Sequence, residues 1–182
     1  MSESIQKRWT LAHPCAEPHG ASLRATLPER WLRIHSLLNG KRYPDTVDEE
    51  AVVLRRHRAA IECLAGRQKL FLVFSFWDRQ ESVVQHGFDP LERYVLPPGS
   101  WSEMPRIVEV AGSVWSHDDR LNRLILSVAH DEVGGVFLAS EDLGSLIGLY
   151  DGGADLFFRD VESRDYAAEV FSEWISSRPD GL

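Results

Sequence analysis

The stretch "VFLASEDLGSLIGLYDGGADLFF", residues 136–158, decides the fold. Three runs, "VFLAS" (136–140), "SLIGLY" (145–150) and "ADLFF" (154–158), are apolar, β-branched or aromatic, and too short for helices. The joining "EDLG" and "DGG" are turn chemistry, with Asp and Gly where the backbone needs unusual φ values. An antiparallel meander is predicted.

Upstream, "RIVEVAGSVW" (106–115) alternates as a strand, with Val108, Val110, Gly112 and Val114 on its drier face. "KLFLVFSFW" (69–77) is apolar throughout and predicts a central strand buried on both faces. Between it and the meander, Leu121, Leu124, Ile125, Val128 and Ala129 recur at helical spacing behind Asp118 or Asp119 as cap, and Gly134-Gly135 closes that helix. A second helix is predicted in "KRYPDTVDEEAVVLRRHRAAIECLAG" (41–66). Asp45 or Thr46 caps it, Asp48 to Glu50 fill its first turn, Ala51, Leu54, Arg58, Ile61 and Ala65 form its inner face, and Gly66 stops it. "LPERWLRIHSLL" (27–38), with Leu27, Trp31, Ile34 and Leu38 spaced by four, three and four, predicts a third, ended by Asn39-Gly40. The tail "SRDYAAEVFSEWISSRPDGL" predicts a C-terminal helix with a Tyr166, Val170, Phe171, Trp174, Ile175 stripe, stopped by Pro179.

Two segments lack period. Residues 1–26, with Pro14, Pro18 and Gly20, read as a flexible lead-in, and residues 78–105, broken by Gly87, Pro90, Pro97-Pro98 and Gly99, as a long irregular loop. The expectation is a flexible segment 1–26 and a single α+β domain over 27–182. Its core is a mostly antiparallel sheet of five to six strands with N-terminal helices, one mid-chain helix and a C-terminal helix packed on it.

Composition narrows the function. At 182 residues with 43% apolar and 26% charged residues, the chain can bury a core without staples. Cys15 and Cys63 share no CxxC spacing and read as free thiols. The N-terminus lacks an apolar leader and no run is long enough to span a bilayer, so a cytoplasmic location is expected and a membrane partner is not. Twenty-eight acidic against twenty basic residues, a net charge of −8, oppose nucleic-acid binding and favour a basic partner.

Asp151 and Asp155 flank the presumed hairpin and could approach a divalent cation, but two carboxylates are too few and Asp-Gly-Gly is ordinary turn chemistry. His117 and His130 bracket one helix, about 20 Å apart at 1.5 Å per residue, which argues against a shared metal. His13, Cys15 and His19 lack a fourth ligand. No GxSxG elbow, P-loop, GxGxxG or HExxH occurs, and no cofactor is implied. Trp101 differs from the other tryptophans in standing inside the irregular segment among acids, a composition suited to protein recognition.

Residues 130–158, "HDEVGGVFLASEDLGSLIGLYDGGADLFF", with "RDYAAEVFSEWISSRPDGL" (164–182), "LPERWLRIHSL" and "KRYP", resemble a group of small bacterial proteins of unknown function. Size, acidity and α+β order are similar to those of immunity proteins that neutralise a toxin. The leading expectation is a non-catalytic acidic protein of this type that occludes a basic toxin partner, using Trp101, Glu81, Asp89, Glu92, Tyr94 and Glu103. The alternative is a small metal-dependent hydrolase using Asp151, Asp155 and His130 or Glu132.

Overall fold

The computed structural model describes residues 3–66, 68–77, 82–101, 103–115 and 118–176. In chain order the elements are α1 (Ile5–Ala12), α2 (Gly20–Thr26), β1 (Trp31–His35), α3 (Val47–Ala65), β2 (Leu70–Phe76), β3 (Pro90–Leu96), β4 (Arg106–Val114), α4 (Asp119–Ala129), β5 (Val136–Ser140), β6 (Leu146–Tyr150), β7 (Gly153–Phe157) and α5 (Val161–Val170). The strands form one sheet in the order β1-β7-β6-β5-β2-β4-β3, every neighbour antiparallel. The meander from Val136 to Phe157 forms as predicted, and β2 lies inside the sheet with both faces covered.

The sheet has seven strands where five to six are predicted, because two segments read as something else are strands. Leu27–Leu38 is not a helix: after a short 3₁₀ turn at Pro28–Arg30, Trp31–His35 pairs with β7 from Trp31 opposite Phe157 to His35 opposite Gly153. The period-two set Leu32 and Ile34 is buried, while Leu38 of the predicted stripe is exposed. A half-empty sheet edge outweighs a weak helical period. The segment read as a loop contains β3, whose alternation is masked in sequence by Pro90 and the charges of Glu92 and Arg93.

Apolar side chains of alternate strand positions fill two layers. One holds Leu72, Phe74, Leu138, Ile147 and Leu156 against α3, α4 and the C-terminal turns; the other holds Val73, Val108, Val110, Phe137 and Phe157 against α1 and α2. The lead-in expected to be flexible therefore folds over the second face: Ile5, Trp9 and Leu23 are buried there. Each such side chain contributes about 1.5–3 kcal/mol of burial, which a sheet apolar on both faces requires. In β4 a bulge opposite Leu70–Leu72 shifts the phase, so Val114 joins the Ile107 and Ala111 side rather than that of Val108 and Val110.

Thr46 accepts a hydrogen bond from the Glu49 amide and Gly66 ends α3, as predicted, but the buried face is Val53, His57, Ala60 and Ile61, with Ala51 and Arg58 exposed. Asp118 caps α4 through the Arg120 amide. The C-terminal helix ends at Val170. Its Tyr166 and Val170 are exposed, Ala167 and Phe171 are buried, and Ile175 bridges to Ile34. The predicted stop at Pro179 lies outside the described residues.

Candidate functional site

The hairpin turn at Asp151-Gly152 does not use the left-handed backbone. Positive φ falls instead at Leu143 in the preceding turn and at Gly135, Gly40, Gly66 and Gly87, with Asn39 and Asp131. Gly153 is required by space: a Cβ there would stand 1.9 Å from the Ile34 carbonyl oxygen. Asp151 is buried and accepts a hydrogen bond from Arg42 Nε. Asp155 accepts four, from Arg24 Nη1 (2.6 Å), Trp31 Nε1 (2.8 Å), Arg33 Nε (2.8 Å) and Arg33 Nη2 (3.0 Å). His130 Nε2 lies 2.9 Å from Glu50, and Glu132 is exposed. The acidic and histidine residues of the hydrolase alternative are thus held by separate partners. Among the described residues no three His, Cys, Asp or Glu side chains are grouped to hold a metal ion. In the N-terminal trio, His13 is buried with Nε2 2.7 Å from the Leu143 carbonyl, while Cys15 points to solvent. Burial pushes the Cys63 thiol pKa up, as expected of an unreactive thiol.

The residues predicted to meet a partner divide. Glu92 is turned inward, accepting the Ile5 (2.6 Å) and Gln6 (3.0 Å) amides and so fixing the start of α1. Tyr94 packs against the α1 layer, and burial raises its phenol well above the usual range. Asp89, Trp101 and Glu103 remain exposed, and Glu81 lies outside the described residues. Beside them β3 is the terminal strand of the sheet, and its outward residues Leu91 and Val95 are 60% and 56% exposed.

Residues to which sequence reading gave no role, together with Asp155 and His19, line a cavity of about 340 Å³ on the α2 face of the sheet. Alternation puts them there. Arg33, Ser75, Arg106, Phe137, Gly148, Tyr150 and Asp155 share strand phases with the residues that face α1 and α2, and α2 adds His19, Gly20 and Arg24 at the rim. The lining holds three guanidinium groups and one carboxylate, and the carboxylate, Asp155, binds two of them, Arg24 and Arg33. Arg106 is 1% exposed; its Nη1 is 3.5 Å from Ser75 Oγ, its Cζ lies 4.6 Å from the centre of the Trp77 ring, and Nε and Nη2 have no hydrogen-bond partner among the described residues. His19 is pushed down to about 4, first by burial and then by Arg106 and Arg24. A usable signal was Ser75, the single polar residue in the otherwise apolar β2.

Fold and site define an α+β protein with an antiparallel sheet covered on both faces and an arginine-lined cavity at one end. Residues 20–179 match the family described as "Domain of unknown function (DUF3885)", and the chain belongs to that family. No curated protein and no solved structure matches it.

Proposed function

We propose that the protein is a non-catalytic binding protein that takes a basic protein partner along the outer edge of β3 and the adjoining turn, in the narrower form as an immunity-type inhibitor covering a toxin. The observation that carries the reading is the position of β3 at the end of the sheet order with apolar Leu91 and Val95 turned outward. Such an edge offers backbone groups for strand addition, while alternate side chains select the incoming segment. Asp89 and Glu103, in a chain of net charge −8, attract Lys and Arg, and Trp101 supplies an aromatic anchor. Glu92 and Tyr94 support the surface from inside rather than touching the partner.

The test is capture of a basic partner by the purified protein from the organism that encodes it, repeated with Leu91→Lys plus Val95→Lys, with Trp101→Ala, and with Asp151→Asn as control. Capture is lost in the edge variant and kept in the control. Trp101→Ala weakens the isolated complex by about 2 kcal/mol, roughly thirty-fold. Equal capture by all four proteins refutes the reading.

A further inference from the structure

Beyond the β3 edge, and independent of it, the structure holds a buried arginine whose Nε and Nη2 have no hydrogen-bond partner among the described residues. Arg33 shows what this geometry is for: its Nε and Nη2 grip the two oxygens of Asp155 side by side. In Arg106 the same pair of atoms is unpartnered among the described residues, although the residue is almost wholly buried. The charge of Glu17 acts on it without a hydrogen bond, and the Asp155 carboxylate is already taken by Arg24, Arg33 and Trp31. A buried cation left without a counter-charge costs several kcal/mol. Among the described residues, no acid is hydrogen-bonded to this one. The space beside Arg106 has a cationic lining from Arg24 and Arg33 and an apolar wall from Phe137 and Leu149.

We infer that this cavity is a binding site for a small organic oxyanion, a carboxylate or phosphate on a compact body, with Arg106 as the bidentate anchor and Arg24 and Arg33 supplying the remaining positive field. The volume of about 340 Å³ suits a small metabolite rather than a macromolecule. Arg106 Nε and Nη2 are closed to solvent, so a ligand reaches them only when the rim gives way. His19 and the half-exposed Trp77, whose rings lie 6.5 Å apart, form that rim beside the guanidinium. The oxyanion replaces the missing counter-charge, and Ser75 Oγ is placed to add a further hydrogen bond.

The experiment is thermal unfolding of the full chain in sodium phosphate, in sodium benzoate and in sodium chloride at matched ionic strength, with wild type, Arg106→Lys, Arg106→Met and the edge variant Leu91→Lys. Wild type and Leu91→Lys gain several degrees over chloride in at least one of the two probes. Arg106→Lys, which keeps the charge and loses the fork, gains less than half as much. Arg106→Met gains nothing, while its melting temperature in chloride is no lower than that of wild type. A rise with phosphate alone assigns a phosphoryl ligand, and one with benzoate alone a carboxylate. No rise in wild type, or an equal rise in Arg106→Met, overturns the inference. Should Arg106→Met not fold, His19 in wild type gives a second reading by NMR titration. An oxyanion on Arg106 offsets the charge that depresses His19, so its pKa moves up from about 4; stabilisation by either probe with an unmoved His19 also overturns it.

Discussion

Asp155 stands two places beyond Gly153 in a turn motif, yet it works as the hub of a polar cluster. Its partners Arg24 and Arg33 lie 131 and 122 residues away, a separation at which no local pattern links a carboxylate to its cations. Asp155→Ala leaves Arg33 and the more exposed Arg24 without their counter-ion and is expected to cost about 3 kcal/mol, read as a lowered urea midpoint. Asp155→Asn keeps the shape and part of the hydrogen bonding and costs less. Gly153→Ala is expected to cost about 3 kcal/mol, because its Cβ would collide with the Ile34 carbonyl and force β1 off β7. Gly134→Ala, with nothing within 4 Å of the added carbon, stays within about 0.5 kcal/mol of wild type. Equal effects at the two glycines would show that backbone crowding is not what Gly153 relieves.

Among the elements, α1 and α2 depart furthest from sequence expectation. Both are short, eight and seven residues, and what holds them is the second apolar face of the sheet, with Trp9 and Leu23 set into it. Trp9→Ala is expected to cost about 3–5 kcal/mol. Glu92→Ala, which removes the acceptor for the first amides of α1, costs about 1 kcal/mol. Both are measurable by urea unfolding, and a Trp9→Ala midpoint equal to that of wild type would mean that the lead-in does not seal the sheet. By contrast, α3 and α4 were legible because their signals are local: Thr46 and Asp118 as caps, acids in the first turn, Gly66 as stop. Their exact faces were not, since a rotation of one or two positions leaves the period intact and is fixed only by what they pack on.

For the molecule as a whole, four histidines among the described residues, His13, His19, His35 and His57, are pushed down first by burial. Burial favours the neutral imidazole in each, so the folded pKa lies below that of the unfolded chain. The stability they carry is complete above the unfolded value of about 6.5 and is lost as pH falls through it, down to about 4 for His19. Asp142 is held down at about 2, first by the Ser140 hydroxyl and then by the Gly144 amide and Arg159, so its contribution is lost only below about 4. Acid destabilisation therefore begins with the histidines. The urea midpoint is expected to be lower at pH 5 than at pH 7.5, and a flat profile across that interval would show that these histidines are charged in the native state.

Sequence alone determined what depends on neighbours a few residues apart: the meander of 136–158, the buried strand at 70–76, the two capped helices and the α+β class. Tertiary structure decided the rest. It turned "WLRIH" into a strand because β7 offered an edge, folded α1 and α2 onto a face that could not stay wet, and turned Glu92 inward to start a helix. It also gathered Arg24, Arg33 and Arg106 around one cavity. The physical reason is common to all four. Sheet phase and edge pairing are set by contacts between residues far apart in the chain, and those contacts decide which side of a strand becomes core and which becomes site.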